Sequence, residues 1–392
     1  MHETVRDIGA ILDALGVRRV IVHGYRRPRH THHWIQLALY RALREASRQL
    51  GTFDVAWRDN RDALRASECE DTLFVANANV DRPDANLPLH PRAWYLVHDH
   101  APGRLSLERY APLVRAGRCV FFEVFRGRPA DASWEPIADE PLHWVRADRT
   151  RAVLTWATDL LPAQIDANID RVRRAPRSRP DARTVCFVGS VWRSNETELR
   201  EVVAFCARHG LRFEQWGGYV ARGRGERWPG EVVIHATDVS PEQNAQLVRE
   251  ALLAPAIQGR AQMPHCVDVG NYVPCRIFKN LSYGAWGVTN NATVQRLFDG
   301  RLVHDEQVPA LLERALRFVR ADPDPWHLVS LMEIVRDRHT YWHRLRTLLR
   351  VLRDRRRVCV GVEIGRFERG WLRARTVLDR AAYLATDAWR GR

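Results

Sequence analysis

Short apolar runs recur along the N-terminal part of the chain, and their spacing constrains the fold more than any other feature. Polar or helical segments separate the runs, and the first run leads through a polar loop into a long helical pattern over residues 33–50. Strands that alternate with helical segments are typical of parallel sheets with crossover connections. The sequence therefore predicts a doubly wound α/β sheet with strands at 18–22, 53–57, 72–76, 94–97, 119–124 and 142–145.

The length of the chain predicts two such domains. Its 392 residues exceed the roughly 250 to 300 residues at which a single hydrophobic core stops growing. The stretch 171–183 is rich in proline and arginine and has no apolar period, which is typical of a linker. We therefore predict a Rossmann-like domain at 1–175, a second at 176–324 with strands at 185–188, 212–217, 232–236 and 252–258, and a basic helical tail at 325–392.

The charge balance predicts an anionic partner. The chain has 61 basic and 47 acidic residues, a net charge of +14, and Lys279 is its only lysine. A nucleotide-sugar or phospholipid substrate, an anionic membrane surface and nucleic acid would each match this charge, but no zinc finger, RNP motif or helix-turn-helix signature favours nucleic acid. A lysine kept in a chain that otherwise uses arginine indicates a site for a compact ammonium group, or else a remnant on a solvated face.

The sequence carries no signal for export or for a structural metal. No apolar run approaches the roughly 18 residues of a membrane span, and the N-terminus has the pattern of an amphipathic helix of mixed charge. The seven cysteines are scattered, with no CxxC pair, so we expect reduced thiols and no zinc site. These features predict a cytoplasmic protein. The basic tail after about residue 352, with its interleaved aromatics, would either lie on the inner face of a membrane or form an ordinary solvated face.

The segment 270–291 holds the strongest candidate binding site. Pro274 suits the start of a helix and Gly284 suits its end, so we predict a helix over 273–283. Arg276 and Lys279 lie one turn apart on the same face of that helix. Two cations near a helix start, together with its free backbone donors, would bind a diphosphate well. Tyr272 precedes this helix at the end of a long polar loop, and Asn290 follows the next short strand.

A glycine-serine turn opens the second domain. Gly189 and Ser190 follow the strand at 185–188, and Arg193 lies between this turn and the next helix. A strand, a short turn and a helix can hold a phosphate, although the turn lacks the GxGxxG pattern and a P-loop lysine. The alternative is a tight turn that needs glycine for its backbone shape alone.

Histidines mark two strand ends of the first domain. His30 and His32 lie in the loop after the first strand, and His98, Asp99 and His100 follow the strand at 94–97 directly. In open α/β sheets the carboxyl ends of the strands face the ligand. Histidine titrates near neutral pH and a carboxylate can orient it, so this group suits general acid/base catalysis. A metal pair or an ordinary turn would give the same triplet.

The segment from 184 to 318 resembles the donor-binding domain of GT-B glycosyltransferases. The likeness rests on the helix with Arg276 and Lys279, the Tyr283-Gly284 step, the apolar strand after it and the polar turn at Asn290. It implies two Rossmann-like domains that face a cleft, and a terminal helix, from Pro325, that returns to the first domain. The glutamate pair of many retaining group-1 enzymes is missing, and the matching region offers Cys275, Arg276, Ser282 and Tyr283.

The resemblance implies an enzyme that moves a hexosyl or deoxyhexosyl group from a nucleotide sugar to a hydroxyl of a glycan or lipid-linked acceptor. By position in that family, His30, His32, His98 and Asp99 would supply the base, as in inverting members, while Gly189, Ser190, Arg193, Tyr272, Arg276, Lys279 and Asn290 would hold the donor. No cofactor and no metal are expected. A GT-B-like nucleotide-sugar epimerase and a basic adaptor that binds RNA or anionic lipid are the alternatives.

Overall fold

The structure is a computed structural model. It describes the chain except residues 27–31, 79–83, 100–103, 126–128, 130, 175–181, 192–193, 219–231, 236–238, 260–271 and 391–392.

The strands of the described chain follow one another in the predicted rhythm. They are β1 Arg19–Gly24, β2 Asp54–Asp59, β3 Thr72–Asn77, β4 Trp94–His98, β5 Cys119–Val124, β6 Trp134–Pro136, β7 Trp144–Arg146, β8 Arg151–Leu154, β9 Thr184–Val188, β10 Arg212–Trp216, β11 Val232–His235, β12 Val288–Thr289 and β13 Val303–His304.

Helices connect most of these strands and form the C-terminal region. They are α1 Glu3–Ala14, α2 His32–Leu50, α3 Arg104–Arg115, α4 Pro162–Arg174, α5 Glu196–Arg208, α6 Pro241–Glu250, α7 Cys275–Tyr283, α8 Ala292–Leu297, α9 Val308–Arg320, α10 Pro325–Arg338, α11 Tyr341–Val358 and α12 Arg366–Arg390, with a short 3₁₀ turn at Ala66–Glu68. None of the described helices combines the length and the apolar character that a membrane span requires.

The chain divides into two compact units. Unit 1 comprises Met1–Val124, Pro129–Leu154 and Tyr341–Arg392, and unit 2 comprises Phe125–Arg128 and Thr155–Thr340. The predicted boundaries at 175 and 324 therefore differ from the observed ones. The chain passes into unit 2 directly after β8, so that α4 packs against α10 and α7 of unit 2.

Unit 1 is built on one large sheet. Its strand order is β2-β1-β3-β4-β5-β8-β7-β6, and the pairs from β2 to β8 are parallel. Every residue of β3 and β4 is buried, as expected for central strands that helices cover on both faces. The strand predicted at 142–145 appears as β7, which is antiparallel to β6 and β8 because it belongs to a short edge ribbon without a crossover helix.

Unit 2 has a smaller parallel sheet. The order β11-β10-β9 continues through residues 253–256, which bridge to β9 at Val185 and to β12 at Thr289, and β12 pairs with β13. Counted along the chain, the spatial order is third, second, first, fourth, fifth and sixth, which is the Rossmann arrangement. The predicted α/β class with two Rossmann-like domains is confirmed, and the cleft between them stays a prediction.

The C-terminal helices separate between the two units. The prediction sent the helix from Pro325 back to the first domain, but α10 packs on α4 and α7 within unit 2. The helix that joins unit 1 is the next one, α11, which packs on α1 and α2. The indole Nε1 of Trp342 donates to the Ala42 carbonyl at 2.8 Å and fixes α11 there. Each helix buries several apolar side chains, such as Leu331 in α10 and Leu348 in α11, so the sequence alone does not show which unit each helix joins.

Candidate active site

The sheet of unit 2 reverses its strand order between β9 and residues 253–256. The chain runs outward in opposite directions from these two neighbours, and such a reversal is expected to leave a crevice at the carboxyl ends of the strands. In open α/β sheets this crevice is where ligands bind. The residues that follow the two strand ends are Gly189 and Ile257, so the site is best described from there.

Gly189 forms the turn after β9. Its φ of +153° favours glycine, and the amide of Gln215 donates to its carbonyl at 2.7 Å. The same amide donates to the carbonyl of Gly217 at 3.2 Å, and a Cβ at Gly217 would lie 2.9 Å from the backbone of Gly189. Gln215 is fully buried and was not predicted from sequence. Two glycines and one glutamine therefore hold the turn in a fixed shape.

Helix α7 brings Arg276 to this turn. The helix begins after Pro274 and ends at Gly284, whose φ of +91° is a left-handed cap, so the predicted helix is confirmed with a later start. The guanidinium of Arg276 donates through Nε to the Val188 carbonyl at 3.0 Å and through Nη1 to the Ile257 carbonyl at 3.4 Å. Arg276 thus joins the two strand ends that border the crevice.

The second terminal nitrogen of Arg276, Nη2, faces the turn at Gly189. Nη2 lies beside Gly189, and it makes no hydrogen bond within the described part of the chain. The guanidinium also lies over the ring of Phe187, with its carbon 4.0 Å from the ring centroid. Burial lowers the pKa of Arg276, but an arginine keeps its charge at neutral pH. Donors of a charged group are therefore left over at the crevice.

Lys279 lies one turn further along α7 and is held by an acid. Its ammonium is 2.9 Å from Oδ2 of Asp159, while the hydroxyl of Tyr283 donates to Oδ1 at 2.6 Å. Burial opposes the charge on Lys279, but Asp159 outweighs it, so the pKa of Lys279 is raised. The side chain is 17% exposed and Asp159 only 4%. The sole lysine is therefore not on a solvated face, and one of its three donors is already used.

Asp159 was not predicted, because no local pattern links it to α7. The segment before α4 reaches the helix through a hydrogen bond of 2.7 Å between the hydroxyls of Thr158 and Ser282. Asn168 adds a hydrogen bond of 2.8 Å to the Ser282 carbonyl. Ser282 lies in the region where the group-1 pattern would place its glutamates, and here it is a buried contact between segments of unit 2.

The other predicted donor-site residues of unit 2 have structural partners. Asn290 exchanges two hydrogen bonds with the backbone of Gln258, at 2.7 and 2.8 Å, and Asn291 donates to the Tyr272 carbonyl at 2.7 Å. The carbonyl of Ser190 accepts from Asn195 at 3.3 Å. Their role toward a donor stays a prediction. Arg193 lies outside the described residues.

The helix after the glycine-serine turn begins with acidic residues. The first turn of α5 carries Glu196 and Glu198, and the Asn195 side chain makes no capping hydrogen bond. Glu196 is paired with Arg200 at 2.9 Å, whereas Glu198 is buried. Two carboxylates at this helix start oppose an anionic ligand, since they already interact with its positive end. Arg276 is therefore the stronger phosphate-binding candidate at this end of the sheet.

Unit 1 brings two of the predicted histidines together. The rings of His32, at the start of α2, and His98, at the end of β4, are 5.2 Å apart between centroids and meet edge to face. Both are almost fully buried, as is Asp99, whose backbone amide donates to the Phe122 carbonyl at 3.0 Å. His30 and His100 lie outside the described residues. Their assignment as a base stays a prediction.

A further histidine of unit 1 lies near the carboxyl end of β1. His23 in β1 is fully buried, and neither ring nitrogen has a hydrogen-bond partner among the described residues. Burial lowers its pKa to about 4, and the charge of Arg109 adds to this effect. His23 is therefore neutral at physiological pH, and the strand pattern gave no sign of its isolation.

The sequence of unit 2 matches a known family. Residues 193–350 match the family model described as "Glycosyl transferase-like". The chain contains a glycosyl transferase-like segment. The segment includes α7 with Arg276 and Lys279, and it extends into α11. The expected likeness to glycosyltransferases is confirmed for this segment. A search of curated protein sequences finds no match.

Solved glycosyltransferase structures are similar to the chain at low identity. "Trehalose-6-phosphate from E. coli bound with UDP-2-fluoro glucose" has a TM-score of 0.49 and 9% identity, and the match covers 86% of this chain and 99% of the other. AviGT4, "a glycosyltransferase involved in Avilamycin A biosynthesis", gives 0.48 and 14%, with 88% and 99% covered. Anabaena Alr3699/HepE, solved with UDP and glucose, gives 0.44 and 8%, with 88% and 100% covered.

Proposed function

We propose that the protein transfers a sugar from a nucleotide-sugar donor to a hydroxyl acceptor, and that the crevice beside Gly189 binds the donor diphosphate. The observation that carries this proposal is the position of Arg276 in the glycosyl transferase-like segment. Its guanidinium is fixed to both strand ends at the switch point and keeps the Nη2 donors for an anion. Two hydrogen bonds to carbonyls prevent the group from swinging into solvent, so it is preorganised.

The leaving group of such a transfer is a nucleoside diphosphate, whose negative charge grows as the glycosidic bond breaks. Arg276 would neutralise this charge through a charge-assisted hydrogen bond to a phosphate oxygen. Lys279 would contribute its remaining ammonium donors, with Asp159 fixing their direction at 2.9 Å. Fixed cations stabilise the transition state without reorganisation, which is why we propose a metal-independent reaction.

The acceptor hydroxyl needs a base if the reaction inverts the sugar. We assign this role to the histidine pair of unit 1, His32 and His98, with Asp99 directly after His98 in the chain. A neutral imidazole can take the hydroxyl proton, and a carboxylate can orient it. We further propose a hexosyl or deoxyhexosyl donor, and an acceptor in bacterial surface polysaccharide or glycoconjugate synthesis.

The test is nucleotide release from a panel of UDP-, GDP-, dTDP-, ADP- and CMP-sugars, with and without EDTA. We expect free nucleotide from at least one donor, unchanged by the chelator. Arg276→Lys should lower kcat/KM on the order of 10²-fold. The planar guanidinium can bind two carbonyls and a phosphate at once, whereas the single ammonium of lysine cannot reach all three. Arg208→Gln, an exposed change on α5, is the matched control and should leave the rate unchanged.

Three other outcomes would contradict the proposal. No release from any donor, together with salt-sensitive RNA binding, would indicate the adaptor. Conversion of the donor sugar to an epimer without transfer would indicate the epimerase. Release that persists fully in Arg276→Lys would move the phosphate site away from the switch point.

A further inference from the structure

Helix α12 carries an unusual second face. One side of it packs on unit 1, where Asp379 pairs with Arg109 at 3.2 Å and Glu368 pairs with Arg115 at 2.6 Å. Thr376 accepts a hydrogen bond of 3.0 Å from the Leu89 amide, and Leu372 is fully buried. These contacts fix the orientation of the helix, and so they also fix which residues face outward.

The outward side of α12 is apolar. Phe367 is 86% exposed, Val377 67%, Leu378 65% and Leu384 53%. Five exposed residues recur at helical spacing and form one stripe, with Val377 and Leu384 beside it. They are Phe367, Ala374, Leu378, Ala381 and Ala385. We name this surface the α12 face. Large apolar side chains are rarely left in water in such a row unless they bind something.

A row of arginines accompanies this stripe. Arg366, Arg373 and Arg380 are exposed and lie seven residues apart, so they line one edge of the α12 face. They make no ion pair with any residue of the described chain, whereas Glu368 and Asp379 of α12 pair with Arg115 and Arg109 of unit 1.

The end of α11 and the loop before α12 also carry exposed apolar side chains next to arginines. Val358, Val360 and Val362 are 66%, 75% and 44% exposed, and they follow three consecutive arginines at the end of α11. The two neighbouring stretches of chain therefore combine exposed valines and leucines with arginines. Nothing else in the described chain places this many large exposed apolar side chains so close together in sequence.

We propose that the α12 face is a docking surface for an anionic phospholipid bilayer, on which α12 lies parallel to the membrane plane. Apolar side chains that enter the acyl boundary, beside arginines at the level of the headgroups, are the pattern of interfacial helices. The charge row complements anionic lipid. A second copy of this chain would instead place two cationic rows against each other, and nucleic acid would not use the apolar stripe.

Vesicle sedimentation with the full chain tests this proposal. The probes are vesicles of phosphatidylcholine alone and vesicles of equal parts phosphatidylcholine and phosphatidylglycerol. We expect binding to the anionic vesicles only, and a loss of binding as the salt concentration rises. Binding to neither kind of vesicle, or equal binding to both, would overturn the proposal.

Two variants separate the apolar and the charged contributions. Phe367→Glu with Leu378→Glu should lower the vesicle affinity at least about tenfold, because two buried apolar contacts are replaced by anions. Arg366→Gln, Arg373→Gln and Arg380→Gln together should lower it on the order of a hundredfold on anionic vesicles. All these side chains are exposed, so the unfolding temperature should stay unchanged.

Matched controls come from unit 2. Trp326 is a large apolar side chain with 62% exposure, and Arg208 is an exposed arginine. Trp326→Glu and Arg208→Gln should leave vesicle binding unchanged. If the controls weaken binding as much as the α12 variants do, general charge and not this face is responsible.

A solution dimer that the α12 variants dissociate would reassign the face to self-association. Nucleotide release without vesicles is measured in parallel, so a failure here is distinct from a failure of the proposed transfer.

Discussion

Arg276 lies directly against Gly189, so close that a Cβ atom on the glycine would be 2.2 Å from the guanidinium Nη2. The glycine is required there for two reasons, since its φ of +153° also disfavours any larger residue. This contact couples the turn after β9 to helix α7. A larger residue at position 189 would therefore displace the guanidinium of Arg276.

We therefore expect Gly189→Ala to lower nucleotide release about 10²-fold by displacing the guanidinium from the crevice. Backbone strain should lower the free energy of unfolding by roughly 1 to 3 kcal/mol. Steady-state kinetics and urea unfolding measure the two effects. Gly210→Ala is the matched control, because Gly210 has a φ of +62° and its added Cβ would meet no atom within 4 Å. That variant should lose stability and keep the rate per folded molecule.

Local patterns predicted much of this site. The Pro274 and Gly284 signals located α7 to within two residues at its start and correctly at its end. The strand-loop-helix rhythm placed Gly189 and His98 at carboxyl ends of strands, which is where parallel topology gathers functional groups. These signals are readable because capping and strand periodicity depend only on residues close in sequence.

Long-range partners were not predictable in the same way. Asp159 and Lys279 meet at 2.9 Å across 120 residues of sequence, and a lysine without its acid looks the same as a free one. The sequence predicted Asn290 as a contact of the nucleotide sugar, but the polar turn gave no sign that its side-chain amide also pairs with the Gln258 backbone. Such distinctions depend on tertiary contacts, for which one sequence carries no local sign.

The Lys279 and Asp159 pair should contribute to both stability and turnover. Lys279→Met leaves a nearly buried carboxylate without its cation, while the hydrogen bond from Tyr283 remains, and should lower the free energy of unfolding by about 1 to 3 kcal/mol. Partial exposure of the ammonium keeps the loss below that of a fully buried pair. Asp159→Asn should lose a similar amount, and the double variant less than the sum. Additive losses in urea unfolding would show that the pair is not coupled.

Turnover separates the two roles of the same lysine. Lys279→Arg keeps the positive charge and can still pair with Asp159, but its wider fork cannot direct its donors where the compact ammonium directs them. We expect it to lower kcat about tenfold or more while the unfolding temperature changes little. Equal losses of rate and folded fraction would assign Lys279 to the fold alone.

Asn290 should behave as a structural residue first. In the wild-type protein, the Asn290 side-chain nitrogen donates to the Gln258 carbonyl at 2.8 Å. Asn290→Asp keeps the oxygen that accepts from the Gln258 amide, but it replaces this nitrogen with a carboxylate oxygen that faces the carbonyl. The site is buried, so we expect a loss of roughly 1 to 3 kcal/mol in urea unfolding. The KM for the nucleotide-sugar donor, measured well below the unfolding temperature, should stay within about twofold of the wild-type value. A raised KM at unchanged stability would instead identify a donor contact.

Acid should destabilise the protein through His23. Its pKa is lowered from 6.5 to about 4 by burial and by Arg109, so between these values the unfolded chain binds a proton that the folded chain does not. Stability therefore falls as pH falls through this window, by roughly 3 kcal/mol at its lower end for this one group. Burial lowers the pKa of His143 to about 4 and of His343 to about 3, and both add to the slope.

Urea unfolding between about pH 8 and about pH 4.5 measures this dependence. His23→Leu removes one titrating group from a fully buried position, so its stability should fall less steeply below pH 6.5 than that of wild type. Val20→Ala, at a buried position of the same strand, is the matched control and should lower the whole curve without changing its slope. Parallel curves for wild type and His23→Leu would mean that His23 takes up a proton in the folded state as easily as in the unfolded one.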